Sequence, residues 1–108
     1  MNYNKAFDIF SQIEKTELSS LKTDLLNSAI RYSNLRVSWI FADTEARIEM
    51  DNERTIAHNV FIDCCNILNR NMMKIGEDNT WRLKLGNERK TIGDFACYLN
   101  CILGIEAR

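Results

Sequence analysis

Apolar residues recur along this chain of 108 residues with the three-and-four spacing of helices. Tyr3, Ala6, Phe7, Phe10 and Ile13 make one stripe, which predicts a first helix from about Asn4 to Thr16. Ser19 or Ser20 is placed to cap a second helix, since a serine oxygen accepts from first-turn amides. Its main face carries Leu18, Leu21, Leu25, Ala29, Tyr32, Trp39 and Ile40. A second strip, Leu26, Ile30, Val37 and Phe41, lies beside that face and leaves a narrow polar side of Asp24, Asn27, Arg31, Asn34 and Ser38. A helix apolar over so much of its circumference is expected to be covered twice, by neighbours or by a second subunit.

A third helix is predicted from about Asn52 to Met73. Its core side is Met50, Ala57, Phe61, Leu68 and Met72, its solvent side Asn59, Asp63, Asn66 and Arg70, and Gly76 is a natural stop. Ala42 to Asp51 reads either as a turn leading into that helix or as a helix starting near Thr44. From Trp81 onward the pattern changes. Trp81, Leu83 and Leu85 alternate with Arg82 and Lys84, a strand signature that predicts a short β-hairpin around 81–92. The alternative is an irregular loop with a helical turn, because a lone hairpin is marginal. Thr91 with Asp94 matches a capping box, so the last helix is expected to start there. Ile92, Phe95, Tyr98, Leu99 and Ile102 then form its buried stripe, and Gly104 closes it. The fold expected is all-α, a bundle of four main helices in a single domain over 1–108.

Composition narrows the classes of function. The chain contains no proline, which leaves long helices uninterrupted. No run reaches the roughly 18 apolar residues of a membrane span. Asp8, Gln12 and Glu14 break up the apolar residues of the first stretch, unlike a signal-peptide core, so a cytoplasmic location and no membrane partner are expected. A net charge of −1 argues against a broad nucleic-acid footprint but not against a local basic cleft. Cys64, Cys65, Cys97 and Cys101 have neither zinc-site nor redox spacing, and the last two are expected on the outer side of the last helix. Neither a metal nor another cofactor is expected. Arg82, Lys84, Arg89 and Lys90 cluster beside Trp81, either as a solvated loop or as a stacking surface for single-stranded nucleic acid.

One feature resists the bundle pattern. In ERTIAHN, Arg54 and the sole histidine, His58, fall one turn apart on the side that ought to be buried, and Arg36 lies between Tyr32 and Trp39 on the main face of the second helix. Arg47 lies on nearly the same side as Arg54. An unpaired buried charge costs several kcal/mol, so each guanidinium needs an acceptor. Asp43, Glu53 or Asp94 could serve, making the arginines structural. Otherwise Arg36, Arg54 and His58 line a cleft for an anion, since guanidinium forks grip phosphate or carboxylate and imidazole exchanges protons near neutrality.

That arrangement, RTIAH on a long helix, resembles the HEPN-type ribonucleases, small helical proteins with an Arg…His motif near a dimer interface. The resemblance implies metal-independent RNA cleavage with Arg54 and His58 as catalytic candidates, although here only three residues separate them, fewer than in that family. The strings RTIAHN, TWR and GNERKTIGDFA resemble a small uncharacterised helical family of bacterial proteins, which implies no activity. The function expected first is a helical interaction or oligomerisation module without catalysis, acting as a homodimer or with a protein partner. The alternative is a phosphate- or RNA-binding cleft, or such a ribonuclease.

Overall fold

A computed structural model describes residues 2–106, with side chains from 5 to 102. Its helices are α1 (Asn2–Phe10), α2 (Ser19–Phe41), α3 (Thr44–Lys74), α4 (Thr80–Leu85) and α5 (Arg89–Glu106), with a 3₁₀ turn at Thr16–Leu18. The all-α expectation holds, and no strand occurs among the described residues. Three helices are long rather than four. α2 packs against α3 and α5, while the short α1 packs against α4 and α5. The core forms where these meet, around Phe10, Phe61, Trp81 and Phe95, whose rings contact one another edge-on or tilted.

The first helix is shorter than predicted. After Phe10 the chain tightens into successive short-range turns, with Gln12 donating to Ile9 and Ile13 to Phe10. Ile13 still reaches the core, so the apolar stripe was read correctly although the helix had already ended. Tyr3, also assigned to that stripe, has its side chain outside the described residues. α2 grows directly out of the 3₁₀ turn, and no side chain caps it, so neither Ser19 nor Ser20 plays the predicted role. α3 begins at Thr44, the earlier alternative, because Asp43 accepts from the Ala46 amide at 2.9 Å.

The hairpin around 81–92 is not formed. The buried residues of α4 are Trp81, Arg82 and Leu85, which share a helical face, whereas Leu83 is 77% exposed. Alternation misled because a polar residue is inside and an apolar one outside. Arg82 is held by the Asn66 amide oxygen (2.9 Å), the Gly86 carbonyl (2.6 Å) and the Asn87 amide oxygen (3.0 Å). With Trp81 fully buried and donating to Met72 Sδ, the segment offers no exposed ring at Trp81 on which a nucleic-acid base could stack, while Lys84, Arg89 and Lys90 are solvent-exposed.

The last helix starts at Arg89, before the predicted capping box, and its first bond runs from the Ile92 amide to the Glu88 carbonyl. Thr91 lies inside the helix, and Asp94 turns to other partners. Gly104 does not close it, since the helix continues to Glu106. Gly76 does stop α3, with φ +73° and the paired bonds Glu77 to Met72 and Gly76 to Met73 of a Schellman ending.

α3, at 31 residues, is about 46 Å long at 1.5 Å per residue and spans the 47 Å length of the molecule. None of residues 34–56 is buried, so the end of the α2–α3 pair projects beyond the core. Gly76→Ala should destabilise the protein by about 1–2 kcal/mol, since a side chain there is forced into left-handed backbone. Thr91→Ala, by contrast, should leave the urea midpoint nearly unchanged. Equilibrium denaturation of both variants checks the pair.

Candidate functional site

The core side of α3 presents Arg54 and His58, α2 presents Tyr32 and Arg36, and the first turn of α5 brings Arg89 and Lys90 against them. With Thr55 these residues line one cleft of about 240 Å³. The three sequence candidates, Arg36, Arg54 and His58, are therefore brought together. Arg89 and Lys90 were visible only as part of a basic cluster, and they join the site because α5 begins at this level of the bundle. Gly93 permits the close approach: a Cβ there would lie 2.9 Å from the Tyr32 hydroxyl and 3.2 Å from Arg36 Nη1.

The arginines differ in how they are satisfied. Arg36 Nη2 pairs with Asp94 Oδ1 at 2.9 Å, one of the acids expected from the sequence. Its Nη1 also reaches Cys97 Sγ at 3.6 Å, so Cys97 faces α2 and not outward, while Cys101 is exposed as expected. Burial opposes the Arg36 charge, but the hydrogen bond to Asp94 and the neighbouring Cys97 outweigh it, and the pKa is raised. Lys90 shares Asp94 at 3.3 Å.

Arg54 has no such partner. It stacks on the Trp39 ring, 4.2 Å from the centroid, and its nearest carboxylate is the exposed Asp51 at 3.9 Å. Its Nε is buried and unpartnered. Arg89 has no carboxylate partner among the described residues. Arg47 lies outside the cleft. It covers the other side of this contact, 4.2 Å from the same Trp39 centroid, and donates to the Trp39 and Ile40 carbonyls at the end of α2.

His58 is 2% exposed, packed edge-on against Tyr32, with Nε2 3.2 Å from the Arg89 carbonyl. Burial pushes its pKa down; the carbonyl opposes this in part, and the charges of Arg89, Arg36 and Arg54 push the same way as burial. The imidazole is therefore neutral at pH 7, with Nδ1 buried and unpartnered. α5 has no acid in its first turn, so the positive end of its dipole adds to Arg89 and Lys90. Four cationic side chains thus line the cleft, and the interior carboxylate, Asp94, pairs with two of them.

No cluster of three or more potential metal ligands occurs among the described residues. Cys65 is buried and its thiol pKa is pushed up to about 12 by desolvation, which keeps it protonated and unreactive. No described helix is long and apolar enough to cross a membrane.

The His58 environment sets a pH dependence. A folded pKa below the unfolded value of about 6.5 means that the unfolded chain binds the proton more readily. Its contribution to stability should be complete above about pH 6.5 and decline as pH falls from there to the lowered folded value. Urea midpoints measured across this range should show the decline, and His58→Phe, which retains a ring against Tyr32, should remove that component.

Comparison with protein-family models, curated proteins and solved structures finds no match for this chain.

Proposed function

We propose that this chain binds an anion of the phosphoryl class in the cleft between α2, α3 and the start of α5. The carrying observation is that Arg36, Arg54, Arg89 and Lys90 converge on one polar cleft with Asp94 as their interior counter-charge. Guanidinium groups on different helices suit a tetrahedral oxyanion, which accepts hydrogen bonds from several directions at once. A helix N-terminus at the rim adds to the attraction. Binding without turnover is the reading favoured here. Cleavage of a phosphodiester calls for an acid and a base, whereas His58 is a single neutral imidazole whose Nε2 is already engaged.

Phosphate or sulfate should raise the thermal midpoint of the wild-type protein above that in chloride at the same ionic strength. Arg54→Ala should change stability by only about 1 kcal/mol, the scale of an exposed cation–π contact, yet abolish the anion response. A variant that still responds fully would overturn the assignment. Incubation with RNA should give no cleavage; cleavage lost in His58→Phe would favour the ribonuclease reading.

A second reading concerns the projecting end of α2 and α3. Val37, Ile40, Phe41 and Ile48 are 48%, 52%, 85% and 68% exposed there, on a helix pair with no buried residue over 34–56. We infer that two copies pair through these ends as a homodimer, since two helical hairpins can close a four-helix bundle around such side chains. Leu26 and Ile30, on the same strip of α2, are partly covered within the monomer, which shifts the expected contact toward Val37 and Phe41. Light scattering at tens of micromolar should give twice the chain mass, and Phe41→Glu should halve it. A monomeric wild-type protein would end this reading while leaving the cleft untouched.

A further inference from the structure

Two residues that line the cleft carry buried hydrogen-bonding atoms without partners, of opposite kinds, and this restricts the ligand beyond its charge. The Arg89 carbonyl can only accept, so the proton of the neutral His58 ring lies on Nε2, the atom 3.2 Å away. Nδ1 is then a bare acceptor, buried and without a partner. Arg54 Nε is an equally buried donor without one. Buried polar groups left unmatched are costly, and in a ligand site they mark what the ligand supplies. Sulfate only accepts. It would satisfy the guanidinium and leave Nδ1 empty.

The remaining lining is polar as well. Tyr32 and Thr55 contribute hydroxyls, and the volume of about 240 Å³ exceeds what a lone phosphate fills. Burial, together with the charges of Arg89, Arg36 and Arg54, opposes protonation of the His58 ring. Asp94, the interior acid, is held by Arg36 and Lys90.

We infer that the ligand is a phosphorylated polyol, a sugar-phosphate-like molecule whose hydroxyl donates to His58 Nδ1 while its phosphoryl group takes the arginines. This rests on the anion-binding reading and deepens it. Recognition would begin with the phosphoryl group. The hydroxyl would then distinguish the ligand from inorganic anions and from phosphates on apolar chains, because an unfilled acceptor penalises an analogue that lacks the donor.

The test uses the wild-type protein and two ligands that differ only in hydroxyls, glycerol 3-phosphate and propyl phosphate, with sulfate as the reference anion. Calorimetric titration at constant ionic strength should show glycerol 3-phosphate binding roughly five- to tenfold tighter than propyl phosphate, the scale of one additional hydrogen bond. His58 is the only histidine, so its imidazole ¹⁵N signals are unambiguous. The Nδ1 signal should move with glycerol 3-phosphate and stay nearly fixed with propyl phosphate. Equal affinities with an unmoved Nδ1 signal would overturn the polyol inference and leave anion binding standing. Absence of binding by all three would overturn both.

Discussion

The cleft exists because the helices are of unequal length. α3 runs nearly the full 47 Å of the molecule, whereas α5, at 18 residues, covers about 27 Å. Its N-terminal turn therefore meets the α2–α3 pair partway along and leaves a notch above Arg89. Residues that would be core in an even bundle become its lining: His58, Arg36, Arg54 and Tyr32. The same inequality leaves the far end of the helix pair without a third helix, which is why Val37, Ile40 and Phe41 stay exposed although they continue apolar strips of α2.

A two-helix projection without a core needs other support, since isolated helices are marginal in water. Here Trp39 lies against both Arg47 and Arg54 while its indole nitrogen donates to Asp51 at 3.0 Å. Arg47 also closes the end of α2, and Asp43 opens α3 one turn away. Arg54 thus holds the hairpin together through its stacking face and also lines the cleft. Arg82 shows the contrasting case. It is buried more deeply than Arg54, yet all its acceptors come from the protein, and nothing about it implies a ligand.

Much of this was legible from spacing, and the failures have identifiable causes. The faces of α2, α3 and α5 follow apolar periodicity because burial decides them, and Arg36, Arg54 and His58 stood out as polar residues on those faces. Asp94 was correctly expected as a partner for an arginine. Its spacing from Thr91 also imitated a capping box, but the carboxylate serves Arg36 across the bundle, a long-range choice that local sequence does not encode. The hairpin alternative at Trp81 failed for a related reason: Arg82 is inside because Asn66, distant in sequence, and Asn87 accept its hydrogen bonds. Arg89 and Lys90 were visible as charges only. Their membership of the site depends on where α5 starts, and that start carries no strong capping signal.

The charge pattern of α5 supports the proposed binding reading over a purely structural one. A helix start is ordinarily favoured by acids, and basic residues there lose a few tenths of a kcal/mol or more against the dipole. α5 instead places Arg89 and Lys90 in its first turn, beside two more arginines and an imidazole held neutral. Asp94 offsets part of that repulsion, but it lies a full turn further in and is shared between Arg36 and Lys90. Were these residues only structural, an acid in the first turn would stabilise the same geometry better. On the proposed reading, an anion entering the notch would supply negative charge at the helix end, accept from Arg54 and Arg89, and relieve the repulsion among the cations. Relief of that repulsion would then be a source of the affinity.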